Sequence, residues 1–176
     1  MCARSRPDRT APLTGACTFV TLRAHRLMWA RQSPQPLPPA MIHAAVIPAP
    51  HQPVEIREFP EPDIAPGGML LRTEYSEVCG TDVHLWHGRL SGVPYPLIPG
   101  HVSIGFAEKI RGEVIGGDQQ RLKEGDRVVF FDVHRTCGRC YACAVTHTPT
   151  KCPSRKVYGI TDGAHDGLFG GWSEAI

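Results

Sequence analysis

Cys137-Gly138-Arg139-Cys140-Tyr141-Ala142-Cys143, followed after eight more residues by Cys152-Pro153, decides how this chain is read. Two successive two-residue gaps bring three sulfurs round one point. The longer connection lets a fourth close the tetrahedron that zinc prefers. The four side chains would act as ligands rather than nucleophiles, because a bound zinc displaces thiol protons. Arg135, Arg139, Lys151, Arg155 and Lys156 surround this lobe and would offset the negative charge of four thiolates. Two disulfides in a secreted domain would use the same residues. The spacing, and an N-terminal region that does not read as a secretion signal, favour a structural zinc site.

A second constellation lies upstream. Cys79-Gly80-Thr81-Asp82-Val83-His84 is followed, 22 residues after the cysteine, by His101 in Pro99-Gly100-His101. Thiolate and imidazole are both good zinc ligands, and a catalytic zinc keeps a coordination position open for water or substrate. Taken alone, a single cysteine is more often a small buried hydrophobe, and a histidine after Pro-Gly a loop residue. Beside a four-cysteine lobe the pair reads as a catalytic metal site.

The order of these motifs, with Gly125-Asp126-Arg127-Val128 between them, resembles zinc-dependent medium-chain alcohol and polyol dehydrogenases. The resemblance runs from about residue 41 to residue 176, the N-terminal GroES-like catalytic domain of that family. Cys79-Gly80-Thr81-Asp82-Val83-His84-Leu85-Trp86 is most similar to the sorbitol and threonine dehydrogenase branches. Residue by residue, the resemblance implies that Cys79 and His101 ligate a catalytic zinc. Thr81 would hydrogen-bond the substrate oxygen, and His84 would pass the proton towards solvent. Cys137, Cys140, Cys143 and Cys152 would hold the structural zinc. A hydroxyl and a histidine together make a workable proton path. The implied fold is mainly β, a partly open antiparallel barrel with short helices and a zinc-binding loop lobe. The implied reaction is zinc-assisted hydride transfer from a small alcohol or polyol to NAD or NADP, in the cytoplasm, with a homo-oligomer open to a full-length enzyme.

Three departures bear on that expectation. Family members commonly follow Gly-His with a glutamate beside the zinc, and here the position is Val102, with Ser103 and Ile104 next. The last gap between the cysteines is one residue longer than usual. The third departure is the largest, because no Gly-x-Gly-x-x-Gly turn between a strand and a helix occurs. Gly167-Leu168-Phe169-Gly170-Gly171 does not qualify, since nothing helical is expected after it. A Rossmann domain is therefore expected to be absent from this chain, leaving it inactive alone. The alternatives are a non-catalytic zinc-binding module, a remnant of an interrupted gene, or the zinc-free quinone or enoyl reductase branch. Cys79, His101 and the cysteine lobe argue against the last.

Composition fits one domain plus an extension. The 18 glycines and 17 prolines in 176 residues favour strands and turns over long helices. Residues 1–40 carry six arginines against Asp8, a balance of +5, and a Pro-rich run at 33–39. They read as a disordered basic extension, with a targeting segment as the alternative. Residues 41–176 carry thirteen basic and sixteen acidic residues, a balance of −3, which argues against nucleic acid as a partner. No apolar stretch is long enough to span a membrane.

Within 41–176 the pattern predicts strands at 41–47, 54–59 (half-buried) and 69–76, where Met69, Leu71, Thr73 and Tyr75 would share a face. Residues 81–87 should form a short helix capped by Thr81, and a Pro-rich loop at 91–99 should deliver His101. Val102, Ile104 and Phe106 alternate along the next strand. A turn at 122–126 leads into a strand at 127–131, and 172–176 begins a last one. Trp86 and His87 are either pocket lining or core. His134 and His147 are spare ligands near the lobe, Cys2 and Cys17 are free thiols, and His25, His43, His51 and His165 have no partner pattern.

Overall fold

The computed structural model describes residues 19–21 and 41–176. Strands β1 (Phe19–Thr21), β2 (Met41–Val46), β3 (Glu55–Pro60) and β4 (Gly68–Ser76) precede the short helix α1 (Gly80–Trp86). Then come β5 (Ser103–Arg111), β6 (Arg127–Phe130), β7 (Val133–Arg135), helix α2 (Tyr141–Ala144), a 3-10 turn at Pro149–Lys151 and β8 (Lys156–Val157). All pairings are antiparallel, in a sheet of order β1-β6-β5-β4 and the pairs β2-β3 and β7-β8. Among the described residues no helix is long and apolar enough to cross a membrane.

Residues 172–176 join the hairpin to the larger sheet. On one side the Ala45 N–H donates to the Trp172 carbonyl (2.7 Å), and the Glu174 N–H donates to the carbonyl of His43 (3.0 Å). On the other, Leu71 and Ile176 exchange both backbone bonds at 2.8 and 2.9 Å. The expected last strand thus appears as isolated bridges to both neighbours. The result is one open antiparallel layer that runs from β3 to β1.

Of the expected extension, Phe19–Thr21 pair with β6 in the register Phe19 to Phe130. Its other residues, Cys2, Cys17 and His25 among them, lie outside the described residues.

Two cores lie on opposite faces of β4, because successive strand residues point to opposite sides. Leu70 packs with Ile42, Ala44, Val46 and Ile98, whereas Leu71 packs with Val114, Leu122, Val128 and Phe130. Met69 joins the Leu71 side. Tyr75 does not share that face as expected, since the register shifts between Thr73 and Tyr75 and leaves it 65% exposed. On β5 the alternation holds, but Ser103, Gly105 and Ala107 are the buried set, while Ile104 and Phe106 are half-covered. Residue 105 must be small, because a Cβ there would lie 1.9 Å from the Arg72 carbonyl oxygen. The expectation of a half-buried β3 is met only at Arg57 and Phe59; Ile56 is 70% exposed.

A third cluster positions the site. Leu85 of α1, Ile47 and Leu97 are fully buried together, with Trp86, Tyr95 and Ile160 packed round them. Burying a leucine side chain of this kind contributes roughly 1.5–3 kcal/mol. The Tyr95 hydroxyl donates to the Leu85 carbonyl, tying the 91–99 loop to α1. The Trp86 indole N–H donates to the Gln52 carbonyl at 2.8 Å, so this Trp serves as packing with one polar anchor.

Candidate metal centres

The first centre is built at the N-terminus of α1. Cys79 is the N-cap, in place of the expected Thr81. Its Sγ accepts the Thr81 N–H at 3.3 Å, and its own N–H donates to Asp82 Oδ2 at 2.8 Å. Sulfur and carboxylate thus satisfy donors that a helix start leaves open, a capping box with cysteine as the leading residue. His101 arrives from the 91–99 loop, as expected, through Gly100. That glycine has φ +94, and a Cβ on it would meet Trp172 at 2.7 Å. Gly159 backs it with a positive φ of +67, because a Cβ there would sit 2.7 Å from the Gly100 nitrogen. Pro-Gly-His is a packing requirement as well as a motif.

Cys79 Sγ and His101 Nε2 lie 3.5 Å apart. Bond lengths near 2.3 and 2.05 Å at a tetrahedral angle would place them about 3.5 Å apart. Asp82, only 2% exposed, lies on the other edge of the imidazole, its Oδ1 4.0 Å from His101 Nδ1. That nitrogen is buried and has no hydrogen-bond partner. A small closing movement would let Nδ1–H donate to Asp82 and leave the Nε2 lone pair for a metal. Cys79, Asp82 and His101 together form a group with metal-binding dimensions. Val102 puts no carboxylate beside His101, and the carboxylate of this centre comes from α1 instead. The sequence contained Asp82 within its motif but gave it no part in the site; the signal was its place three residues after a capping cysteine.

Thr81 lies in the first turn of α1, half-buried, and His84 is exposed one turn further on. The His87 ring meets Trp86 and His51 edge to face. The structure joins Cys79 and His101, with Thr81 and His84 on the helix that carries the cysteine.

The second centre is the lobe between β7 and β8. Cys140 and Cys143 sulfurs are 3.4 Å apart, Cys137 and Cys152 3.7 Å, and Cys137 and Cys143 4.0 Å. A tetrahedral zinc with 2.3 Å bonds would hold sulfurs about 3.8 Å apart. None of the four is bonded to another, so the two-disulfide alternative is not what the lobe adopts. The Cys137 thiol is lowered to about 6, chiefly by the backbone N–H of Arg139 and then that of Cys140. At Cys140 the N–H of Cys143 acts downward, but desolvation and the three neighbouring sulfurs outweigh it and push the thiol up to about 11. Four sulfurs this close do not ionise together without a cation among them. The donor set fits zinc. His134 and His147 are not part of the four-sulfur group.

His134 has a different role. Its Nε2 lies 3.0 Å from Asp162 Oδ2, and Asp162 Oδ1 lies 3.1 Å from Lys156 Nζ. This network ties β7 and β8, the two strands that enter and leave the lobe, to the 161–166 loop. It lines a recess of about 350 Å³ with Arg135, Asp166 and Phe169, which contains none of the metal-binding residues. Burial lowers the His134 pKa below its ordinary 6.5, outweighing the upward pull of Asp162. The Asp162 carboxyl is also lowered: burial raises it, but the bonds from His134, Lys156 and Thr161 prevail. Both groups have folded values below unfolded ones, so each stabilises the fold at high pH and loses that contribution on acidification. Melting temperature should hold above pH 6.5 and fall as pH drops through the depressed His134 value. His134→Gln should remove the part of that decline which begins below about pH 6.5. An unchanged profile in the variant would refute the assignment.

The family model for the alcohol dehydrogenase GroES-like domain matches residues 65–176, well over half of the chain. The chain belongs to this family. It is 39% identical over 127 residues to an alcohol dehydrogenase of Rhizobium meliloti, covering 72% of this chain and 35% of that protein. It is 35% identical over 120 residues to a D-altritol 5-dehydrogenase of Agrobacterium fabrum, covering 67% and 32%. The crystal structure of an alcohol dehydrogenase from Thermotoga maritima superposes with a TM-score of 0.71 at 38% identity, over 77% of this chain and 38% of that one. The expected medium-chain dehydrogenase family and GroES-like fold are therefore borne out. The chain spans about a third of the length of these relatives.

Proposed function

We propose that this chain is the metal-binding catalytic portion of a zinc-dependent dehydrogenase acting on a small alcohol or polyol. The observation that carries the reading is the 3.5 Å approach of Cys79 Sγ to His101 Nε2, in a chain that also holds a four-sulfur cluster. Cys79 and His101 would hold the catalytic zinc, and Cys137, Cys140, Cys143 and Cys152 the structural one. Zinc, when bound at the first site, supplies Lewis acidity that favours the ionised form of an alcohol near neutral pH. The Thr81 hydroxyl would accept the hydrogen bond of the substrate hydroxyl, and His84, exposed one turn away, would hand the proton to water. Asp82 would hold the imidazole of His101 in the tautomer that binds metal through Nε2. Hydride transfer requires a nicotinamide held about 3–3.5 Å from the substrate carbon. Among the described residues the helices are α1, α2 and the 3-10 turn, none of them following a Gly-rich strand-turn of the dinucleotide-binding kind. NAD or NADP would be bound by the remainder of a full-length enzyme, and the 176 residues alone would be inactive.

The test is a chimera. Residues 41–176 continued at Ile176 into the remainder of the Thermotoga maritima relative should oxidise members of an alcohol and polyol panel with NAD or NADP. The 176-residue chain alone should show no turnover. A chimera that holds two zinc ions and binds nicotinamide yet turns over nothing would refute the reading, as would turnover by the chain alone.

A further inference from the structure

Charge is divided sharply between two parts of this chain. Residues 133–161 contain five cations, Arg135, Arg139, Lys151, Arg155 and Lys156, and no acid. The rest of 41–176 contains eight basic and sixteen acidic residues. Offsetting a four-thiolate zinc, with its net charge of about −2, uses two of the five cations and leaves a positive surplus. Lys156 is paired with Asp162. Arg135, Arg139, Lys151 and Arg155 make no ion pair among the described residues, and all four are exposed. In their midst α2 presents Tyr141 at 71% exposure and Val145, one turn on, at 58%. The tip of the lobe is therefore an apolar pair in a cationic surround.

The surface of opposite charge lies on the β2–β3 hairpin. β3 pairs only with β2 among the described residues. Along this strand and the turn after it run Glu55, Glu58, Glu61 and Asp63, all exposed; Glu55 is paired with Arg57 and Glu61 with Lys109, and Glu58 lies 3.5 Å from His43, so four acids face two permanent cations. Ile56, between Glu55 and Glu58, is 70% exposed; Val54, just before them, is 45% exposed, and Met41, near the other end of the hairpin, 43%. Ile56 and Glu58 share a face with Ala45 and His43, their partners on β2. This is an apolar strip in an anionic surround, the complement of the lobe.

We propose that the cysteine lobe of one copy docks, through Tyr141, Val145 and the surrounding cations, on the acidic outer face of the β2–β3 hairpin of a second copy. The charges would steer the encounter and set its salt dependence, while the aromatic and aliphatic side chains supply the buried centre. Because lobe and hairpin belong to the same chain, two copies can satisfy both contacts reciprocally as a closed pair.

Sedimentation velocity on the zinc-loaded chain should show self-association at about 50 mM salt that is lost at about 500 mM, where screening is nearly complete within a few ångströms. Two charge-reversed variants decide the matter. One carries Arg139→Glu, Lys151→Glu and Arg155→Glu, and the other Glu58→Lys, Glu61→Lys and Asp63→Lys, leaving Glu55, which lies on the opposite face of β3 and is paired with Arg57. Each alone brings like charges together and should be monomeric at low salt. An equimolar mixture pairs unlike charges again and should associate at least as strongly as the natural chain. Circular dichroism and zinc content would confirm that both variants fold. A natural chain that stays monomeric at low salt overturns the proposal. So does association unaffected by salt, or a mixture of folded variants that remains monomeric.

Discussion

Freshly reduced, purified chain should retain one zinc through exhaustive dialysis, and Cys143→Ser or Cys152→Ala should lose it together with the ordered lobe. The effect should be large because little else holds this region. Between residues 136 and 155, inside the β7–β8 pair, the only buried residue is Cys152, at 0% exposure. Its regular structure is one turn of helix and one 3-10 turn, neither carrying a side-chain cap. Such a segment cannot offset the entropy of ordering its backbone, roughly 1–2 kcal/mol per residue. Apparent zinc binding of about 10–16 kcal/mol, as in small zinc modules, is the one contribution of sufficient size. Metal analysis and protease mapping of the lobe would check this. Less than about half an equivalent of zinc, or quantitative disulfides in freshly reduced protein, would show that the cysteines are not a closed ligand set.

What the sequence revealed, and what it hid, follows from how local each feature is. The lobe was legible because ligand spacing over sixteen residues is itself a geometric statement, and three pairs of its sulfurs do lie 3.4–4.0 Å apart. Cys79 and His101 are 22 residues apart, and only the ordered set of motifs suggested that they meet. The burial of Asp82 against His101 could not be read, since nothing in Cys-Gly-Thr-Asp says which polar side chain faces inward. Thr81 was favoured as the cap by ordinary preferences. Cys79 took that place because the same sulfur must be held at the head of α1. Tyr75 and Ile56 failed for another reason. Periodicity assumes an uninterrupted ladder, and the register shift in β4 breaks it, while β3 sits at an edge where one face has little to pack against. The last strand was visible as a pattern, but its role in joining hairpin to sheet depends on two partners, β2 and β4, each over a hundred residues away.

A second metal should bind more weakly, and Cys79→Ala should abolish it while sparing the first. This centre offers one sulfur and one imidazole at tetrahedral separation, and its carboxylate, Asp82, lies on the far edge of the ring. Val102 adds no charge. Two direct ligands leave the other coordination positions to water, so a mild chelator should strip this metal before it touches the four-sulfur lobe. Cobalt substitution gives a direct view, because a thiolate ligand produces a sulfur-to-metal absorption band. The Cys79 contribution to that band should vanish in Cys79→Ala while the lobe's remains. The variant also deletes the helix cap, and losing the Thr81 N–H bond to sulfur costs about 0.5–2 kcal/mol. Cys79→Ser separates the two effects, since a hydroxyl can cap the helix yet is a poor ligand for zinc or cobalt at neutral pH. It should therefore recover most of the lost stability and little of the second metal. Cys79→Ala protein that kept both metals with unchanged affinity would remove Cys79 from the site, and with it the dehydrogenase reading that depends on Cys79 meeting His101.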